Sequence, residues 1–150
     1  MSENKVVSPF QAVDWRILQL QFHNNMFNPP QDLTQTWTIC AHIEKSNEEN
    51  GNISGALHIT FHVKMEYNNQ ALEISGDAAS FHIFNTTGEQ NADTRFDQLM
   101  KSNAMVWSLS NLRVSLMQAG GLFQFGGKTL LLPFIDLNKF EFDKEITFTV

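Results

Sequence analysis

At 150 residues and 17.1 kDa the chain is long enough for one domain of ordinary size and too short for two. The mass predicts about 7,800 Å² of folded surface against about 24,800 Å² unfolded, so roughly two thirds is buried and no disulfide or metal is needed to complete a core. An apolar fraction of 42% with 13 Phe excludes a disordered chain. A net charge of −6 with only 10 Lys and Arg argues against a surface that tracks phosphates, and therefore against nucleic acid as a partner. The single cysteine, Cys40, excludes an internal disulfide and a Cys-clustered zinc site. The longest apolar run, Leu130–Ile135, is far short of a membrane span, and Met1–Val7 has no signal-peptide apolar region. The expectation is one domain over 1–150 with a flexible 1–9, cytoplasmic and not membrane-bound.

The first half alternates with period two. Trp15–His23 (WRILQLQFH) sets Leu18, Leu20 and Phe22 against Gln19, Gln21 and His23, the pattern of a half-buried strand. Asn24–Asp32 breaks it, and Pro29-Pro30 enforces an extended loop. Gln35–Glu44 alternates again, with Trp37, Ile39, Ala41 and Ile43 on one face. Lys45–Gly55 is polar and rich in Gly and Asn, a hairpin loop. Ala56–Tyr67 alternates most cleanly, with Leu57, Ile59, Phe61, Val63, Met65 and Tyr67 opposite His58, Thr60, His62, Lys64 and Glu66. Such a strand needs one buried and one wet face. Asn68-Asn69 suits a two-residue turn, because Asn tolerates positive φ. Ala71–Phe84 starts with Leu72 and Ile74 inward and ends with Phe81 and Ile83 on the opposite parity, which predicts a bulge near Gly76–Ser80.

The second half changes period. A short helix is expected over Phe96–Lys101. A longer one follows, capped by Ser102 or Asn103 and running to about Ala119, where Gly120-Gly121 ends it. Met105, Leu109, Leu112 and Leu116 form its apolar stripe, and Val106, Trp107, Val114 and Met117 widen that stripe beyond one buried face. Asp136–Lys144 is expected to form a further helical turn or two, and Ile146–Val150 to be extended.

No constellation supports catalysis. Gly121…Gly126-Gly127-Lys128-Thr129 misses the phosphate-loop frame, which needs Gly where Leu122 stands, and its helix precedes the loop rather than follows it. His58 and His62 share a face but sit about 13 Å apart at strand spacing, too far to share a metal; a cross-strand partner such as His42 or His82 would be required. Cys40 falls mid-strand with no helix N-terminus to activate it. Glu44, Glu66, Glu73, Asp77 and Asp136 are scattered. The two N-x-S/T triplets, at Asn52 and Asn85, are read as chance matches. No catalytic residue, metal or other cofactor is expected. What remains is an apolar surplus in Met26, Phe27, Leu33 and the segment after Pro133, a mark of a binding groove or subunit interface.

Taken in order, a strand, a Pro-containing crossover over His23–Gln35, a three-strand meander, the helix Asn103–Ala119, Gly120, then Leu130-Leu131-Leu132-Pro133-Phe134-Ile135-Asp136-Leu137 resemble the SecB export-chaperone family, by pattern over roughly residues 10–142. The helix reads Val106-Trp107-Ser108-Leu109 where the family has Pro-Tyr-Ala-Arg, and Asp136 stands where it has Asn. The chain also stops at Val150 without the tail that helps family members contact the translocation ATPase SecA. It is therefore more similar to a divergent, short, Gram-positive-type branch. The resemblance implies an α+β fold, a four-stranded antiparallel sheet followed by two helices on one face. It implies a homotetramer, a dimer of dimers, with Val106, Trp107, Val114 and Met117 at the interface. It implies a non-enzymatic chaperone for unfolded or secretory polypeptides, with SecA as the partner to test. The client groove is assigned to Met26, Phe27, Leu33, Phe134, Leu137 and Phe140. The alternatives are an adaptor for one fixed protein partner and a carrier of a small hydrophobic ligand.

Overall fold

The structure is a computed structural model that describes residues 7–28, 30, 32–123 and 130–150. Five antiparallel strands, β1 (Phe10–Asn24), β2 (Thr36–Lys45), β3 (Asn52–Tyr67), β4 (Gln70–Asn85) and β5 (Ile146–Thr149), form one sheet in the order β1-β4-β3-β2-β5. One continuous helix, α1 (92–123), packs on one face. The alternation that predicts the strands also decides which face this is. Trp37, Ile39 and Ala41 of β2, then Ile53, Leu57, Ile59, Phe61, Val63 and Met65 of β3, are all buried beneath the helix layer. The opposite face carries ion pairs, with Lys64 Nζ 2.6 Å from Glu66 and 3.3 Å from Glu73.

The β3–β4 hairpin turns on Asn68 and Asn69 at φ 50° and 61°, the left-handed pair expected there. Its register then runs without interruption from Tyr67↔Gln70 to Asn52↔Asn85. The bulge expected near Gly76–Ser80 is therefore absent from β4. The parity never flips; instead the buried face changes character, from Leu72 and Ile74 to Ala78, Ser80 and His82, and Phe81 and Ile83 remain on the outer face. The irregularities lie in β1, between Ala12 and Asp14 and between Ile17 and Gln19. Val13 and Leu18 are the extra residues, and both are exposed.

The sheet has five strands rather than four, because Ile146–Thr149 pairs with Thr36–Ile39. Among the described residues a single helix replaces the expected two. Its α-helical segments Ala92–Leu99 and Met105–Phe123 are joined through a π turn at Met100–Ala104, so Ser102 and Asn103 cap nothing. Ser102 Oγ donates to Gln98 O of the preceding turn instead. The π turn has a packing cause. Phe96 and Met100 are four apart, Met100 and Met105 five, and Met105, Leu109, Leu112 and Leu116 follow at four, three and four, all buried. The five-residue step needs one wide turn if both halves are to face the sheet. The helix also runs past Gly120-Gly121 to Phe123.

No second helix forms over Asp136–Lys144. Asp136 Oδ1 accepts from Asn138 N and its carbonyl from Lys139 N, closing one turn. Asp143, at φ 63°, stops any helix there. Phe140 and Phe142, two apart and edge to face at 5.2 Å, could not both face the core from a helix. Of the Gly-rich connector expected over Gly120–Thr129, residues 120–123 belong to the helix and 124–129 lie outside the described residues, as do the first six.

Close packing of helix on sheet at Gly55, and of β1 beside β4 at Gly76, depends on the missing side chain. A Cβ on Gly55 would lie 2.9 Å from the Phe96 ring and 2.8 Å from Glu44 O; one on Gly76 would collide with Gln19 O and meet Phe61 at 2.8 Å. Beside them the Ser80 and Ser108 hydroxyls share a 2.7 Å hydrogen bond that links β4 to α1, and His82 Nε2 lies 2.8 Å from Ser80 Oγ. His82 is buried, stacked on Phe10 at 5.3 Å with Trp107 edge-on, and its Nδ1 has no hydrogen-bond partner among the described residues. Burial pushes its pKa down from 6.5 to about 4.

Two outcomes follow from this contact layer. Gly76→Ala should cost about 1–3 kcal/mol in urea unfolding, because the β1 backbone must move. The unfolded imidazole takes a proton near pH 6.5 and the folded one only near 4, so stability is complete above 6.5 and is lost as pH falls through that window. The contribution amounts to about 3 kcal/mol, and it should vanish from the difference between the parent and His82→Gln, measured by denaturant titration from pH 7 to 4.

Candidate binding surfaces

The segment 130–142 fills the place beside α1 that a second helix would have taken. Leu130 and Leu132 are buried, with Ile135, Leu137 and Phe142 packed against the same core. Arg113 of α1 fixes this segment: Nε donates to Leu132 O at 2.7 Å and an Nη to Pro133 O at 3.2 Å. The guanidinium then lies 4.5 Å from the Phe134 ring centroid, a cation–π contact. Phe134 is thus held from below and remains 93% exposed.

Next to it opens a cleft of about 380 Å³ walled by Pro133–Asp136, Lys139, Phe140, Ile146 and Phe148–Val150. Of the residues assigned to a groove from the sequence, Phe134 and Phe140 meet here. Phe140 forms its floor, 9% exposed. Leu137 is half-buried against the core. Met26 is buried and Leu33 half-buried in that core, where the crossover from β1 to β2 passes the β3–β4 hairpin end. Phe27 stands out at 77% exposure, its N–H donating to Gln70 Oε1, and is not among the cleft's walls. Sequence reasoning missed Ile146, Phe148 and Arg113. The alternation of ITFTV places Ile146 and Phe148 on one face, but nothing in sequence brings that strand to Pro133.

A second apolar surface runs along α1. Val106, Trp107, Val114 and Met117 are all exposed and fall within an arc of about 100° at 3.6 residues per turn. The buried stripe of Met105, Leu109, Leu112 and Leu116 occupies another arc, so the helix is apolar on two sides. Trp107 meets Trp15 of β1 edge to face at 6.4 Å, which joins this surface to the sheet edge where Ile17 and Leu20 are also exposed.

The outer face of the sheet carries titratable groups in pairs. His42 and His58 are cross-strand partners on the outer face. His42 Nδ1 lies 2.5 Å from Asp143 Oδ1, and Glu44 Oε2 is 3.6 Å from His58 Nε2. Among the described residues no group of three or more His, Cys, Asp or Glu has the geometry to hold a metal ion. The His42–Asp143 contact, with Asp143 N donating to Ala41 O at 2.9 Å, instead pins the chain to β2 before β5 begins. Among the described residues no helix is long and apolar enough to cross a membrane.

Burial separates the roles of the cleft aromatics. Phe140→Ala should lower stability by about 3–5 kcal/mol, whereas Phe134→Ala and Phe27→Ala should leave the melting temperature within a degree or so of the parent in a thermal scan.

No family model matches the chain and no curated protein matches it. Solved structures do. The SecB-like chaperone Rv1957 of Mycobacterium tuberculosis, in complex with a ChAD peptide from the Rv1956 HigA1 antitoxin, superposes with a TM-score of 0.65 over 85% of this chain and 91% of that one, at 12% identity. A Streptococcus agalactiae protein of unknown function superposes with a TM-score of 0.57 over 83% of this chain and 97% of that one, at 11% identity. At such identities the likeness is one of fold, and the fold is SecB-like.

Proposed function

We propose that the protein is a non-enzymatic, SecB-like chaperone of the cytoplasm that holds unfolded polypeptide segments through apolar contacts. The observation that carries this reading is Phe134, seated on Arg113 at the mouth of an apolar cleft and exposed almost completely. An exposed aromatic ring that continues into an apolar cleft makes a contiguous apolar patch, the kind that marks a binding surface. Affinity would come from burial of client apolar area at about 25 cal/mol per Å², which requires little sequence reading. The SecB-like fold, and the peptide bound to one structural neighbour, support polypeptide as the ligand class. Met26, Leu33, Leu137 and Phe140 then support the surface from within, and Phe27 and Phe134 touch the client.

The exposed α1 stripe is assigned to self-association, as a homotetramer built from two dimers. A helix that is apolar on two sides needs a cover for the second, and a second copy presenting the same stripe supplies one. The adaptor reading is favoured by one observation, the neighbour's complex with a peptide from a single antitoxin. The two readings separate by breadth: a chaperone binds several unrelated unfolded chains, and an adaptor saturates with one. SecA is tested in the same way, by adding it to the client-loaded protein.

Phe134→Ala should therefore abolish suppression of light scattering by an aggregating model substrate while the melting temperature is kept; full suppression by this variant would overturn the assignment. In multi-angle light scattering the parent should run at four times 17.1 kDa. Val114→Glu with Met117→Glu should run smaller, and a monodisperse parent monomer at micromolar concentration would remove the assembly.

A further inference from the structure

β5 closes one end of the sheet order and covers β2 on one side only. Its hydrogen-bond parity follows from its last contact. Gln35 N donates to Val150 O at 3.1 Å and Val150 N to Gln35 O at 2.9 Å, a doubly bonded pair. Antiparallel ladders alternate bonded and non-bonded pairs, so Trp37/Phe148 and Ile39/Ile146 are bonded and Thr36/Thr149 and Thr38/Thr147 are not. The backbone N–H and C=O of Thr147 and Thr149 therefore point away from the sheet, and no strand pairs with them among the described residues. The side chains that alternate with them, Ile146 and Phe148, form one wall of the apolar cleft, with Phe134 on the other side and Phe140 at the floor.

We propose that an extended segment of a client polypeptide adds to the sheet as a sixth strand along β5, its backbone bonded to Thr147 and Thr149 and its alternate apolar side chains seated in the cleft between Phe148 and Phe134. This rests on the chaperone reading and gives it a binding mode, strand addition, in which main-chain bonds are sequence-blind and the cleft selects for alternation. Size determines the occupant. A four-residue edge about 13 Å long with one cleft beside it falls far short of the roughly 800 Å² per partner of a stable dimer, so a second folded copy does not suit it and a short strand does. Charge narrows it further: Lys139 on the cleft wall has no carboxylate partner among the described residues, whereas Asp136 beside it is engaged in its turn. An acidic residue flanking the apolar pair is favoured over a basic one.

The test uses the full chain and a fluorescein-labelled nine-residue peptide alternating Ile or Phe with Thr, with a Glu at one end. Binding is read by anisotropy and by amide hydrogen exchange. The peptide should slow exchange at Thr147 and Thr149, and replacing its Glu by Lys should weaken binding. Thr149→Pro, which removes an outward N–H without touching the β2 ladder, should weaken binding about tenfold while keeping the melting temperature. Should that variant fold poorly, two peptides N-methylated at alternate parities carry the test on the unaltered protein: one parity should lose binding and the other keep it. Unchanged exchange at both threonines, or equal binding of both methylated peptides and the parent peptide, overturns the proposal. If those signs of strand addition fail while aggregation suppression persists, the strand mode is wrong and the chaperone reading stands. If the peptide adds at β5 and aggregation is not suppressed, the reverse holds.

Discussion

The unbroken pairing of β3 with β4 is the constraint on which the other elements depend. Sixteen residues in each strand, locked by a turn with two left-handed Asn residues, fix one parity over the centre of the sheet. That parity gathers Ile53, Leu57, Ile59, Phe61, Val63, Ile74 and Phe84 on one face, which has to be covered. A helix alone does not span it. The helix therefore covers the middle, its approach permitted by Gly55, and the segment 130–142 covers the flank over β2 and β5, with Arg113 bonding one cover to the other. The cleft exists because the second cover is irregular: turns leave an indentation where a helix would have presented a continuous ridge.

Much of this was legible in the sequence, and the misses share a cause. Strand periodicity located β2, β3 and the Asn68-Asn69 turn, because one-sided burial leaves an alternating record. It failed at Phe81 and Ile83, where apolar residues were equated with inward ones. There the buried face is made of Ala78, Ser80 and His82, since Trp107 and Phe10 need room, and two large side chains are left on the wet face. The helix was found by its four-three-four spacing but cut in two, because a five-residue step looks like a boundary unless a π turn is considered. The further helical turns expected over Asp136–Lys144 do not form, and Asp136, Asp143 and the Phe140–Phe142 spacing argue against them locally. Of the site, the sequence named Phe134 and Phe140 but not what holds them. Arg113 is nineteen and twenty residues from the carbonyls it binds, and contacts at such separations leave no periodic trace.

The apolar surfaces sit on different elements. The α1 stripe of Val106, Val114 and Met117 belongs to a regular helix joined by Trp107 to the β1 edge, and the cleft belongs to the irregular cover at the β5 edge. The two adjoin along α1, because Arg113, which carries Phe134, borders the stripe next to Val114.

The π turn ties these surfaces together in a way that constrains how such a chain can diverge. It offsets the angular phase of Met105–Phe123 from that of Ala92–Leu99 by the width of one residue, about 100° at ordinary helical pitch. A deletion of a single residue within Met100–Ala104 would restore a regular helix. That deletion would leave Leu109, Leu112 and Leu116 on the sheet, because the wide turn only absorbs the extra residue; an insertion with no second wide turn would instead rotate the downstream half by that angle, moving them off the sheet and swinging Arg113 away from the carbonyls of Leu132 and Pro133. Length in this short stretch is thus restricted in one direction: it can lose the extra residue but not gain another. Substitutions can accumulate along α1 wherever polarity is kept, while insertions are excluded from its middle and relegated to the loops.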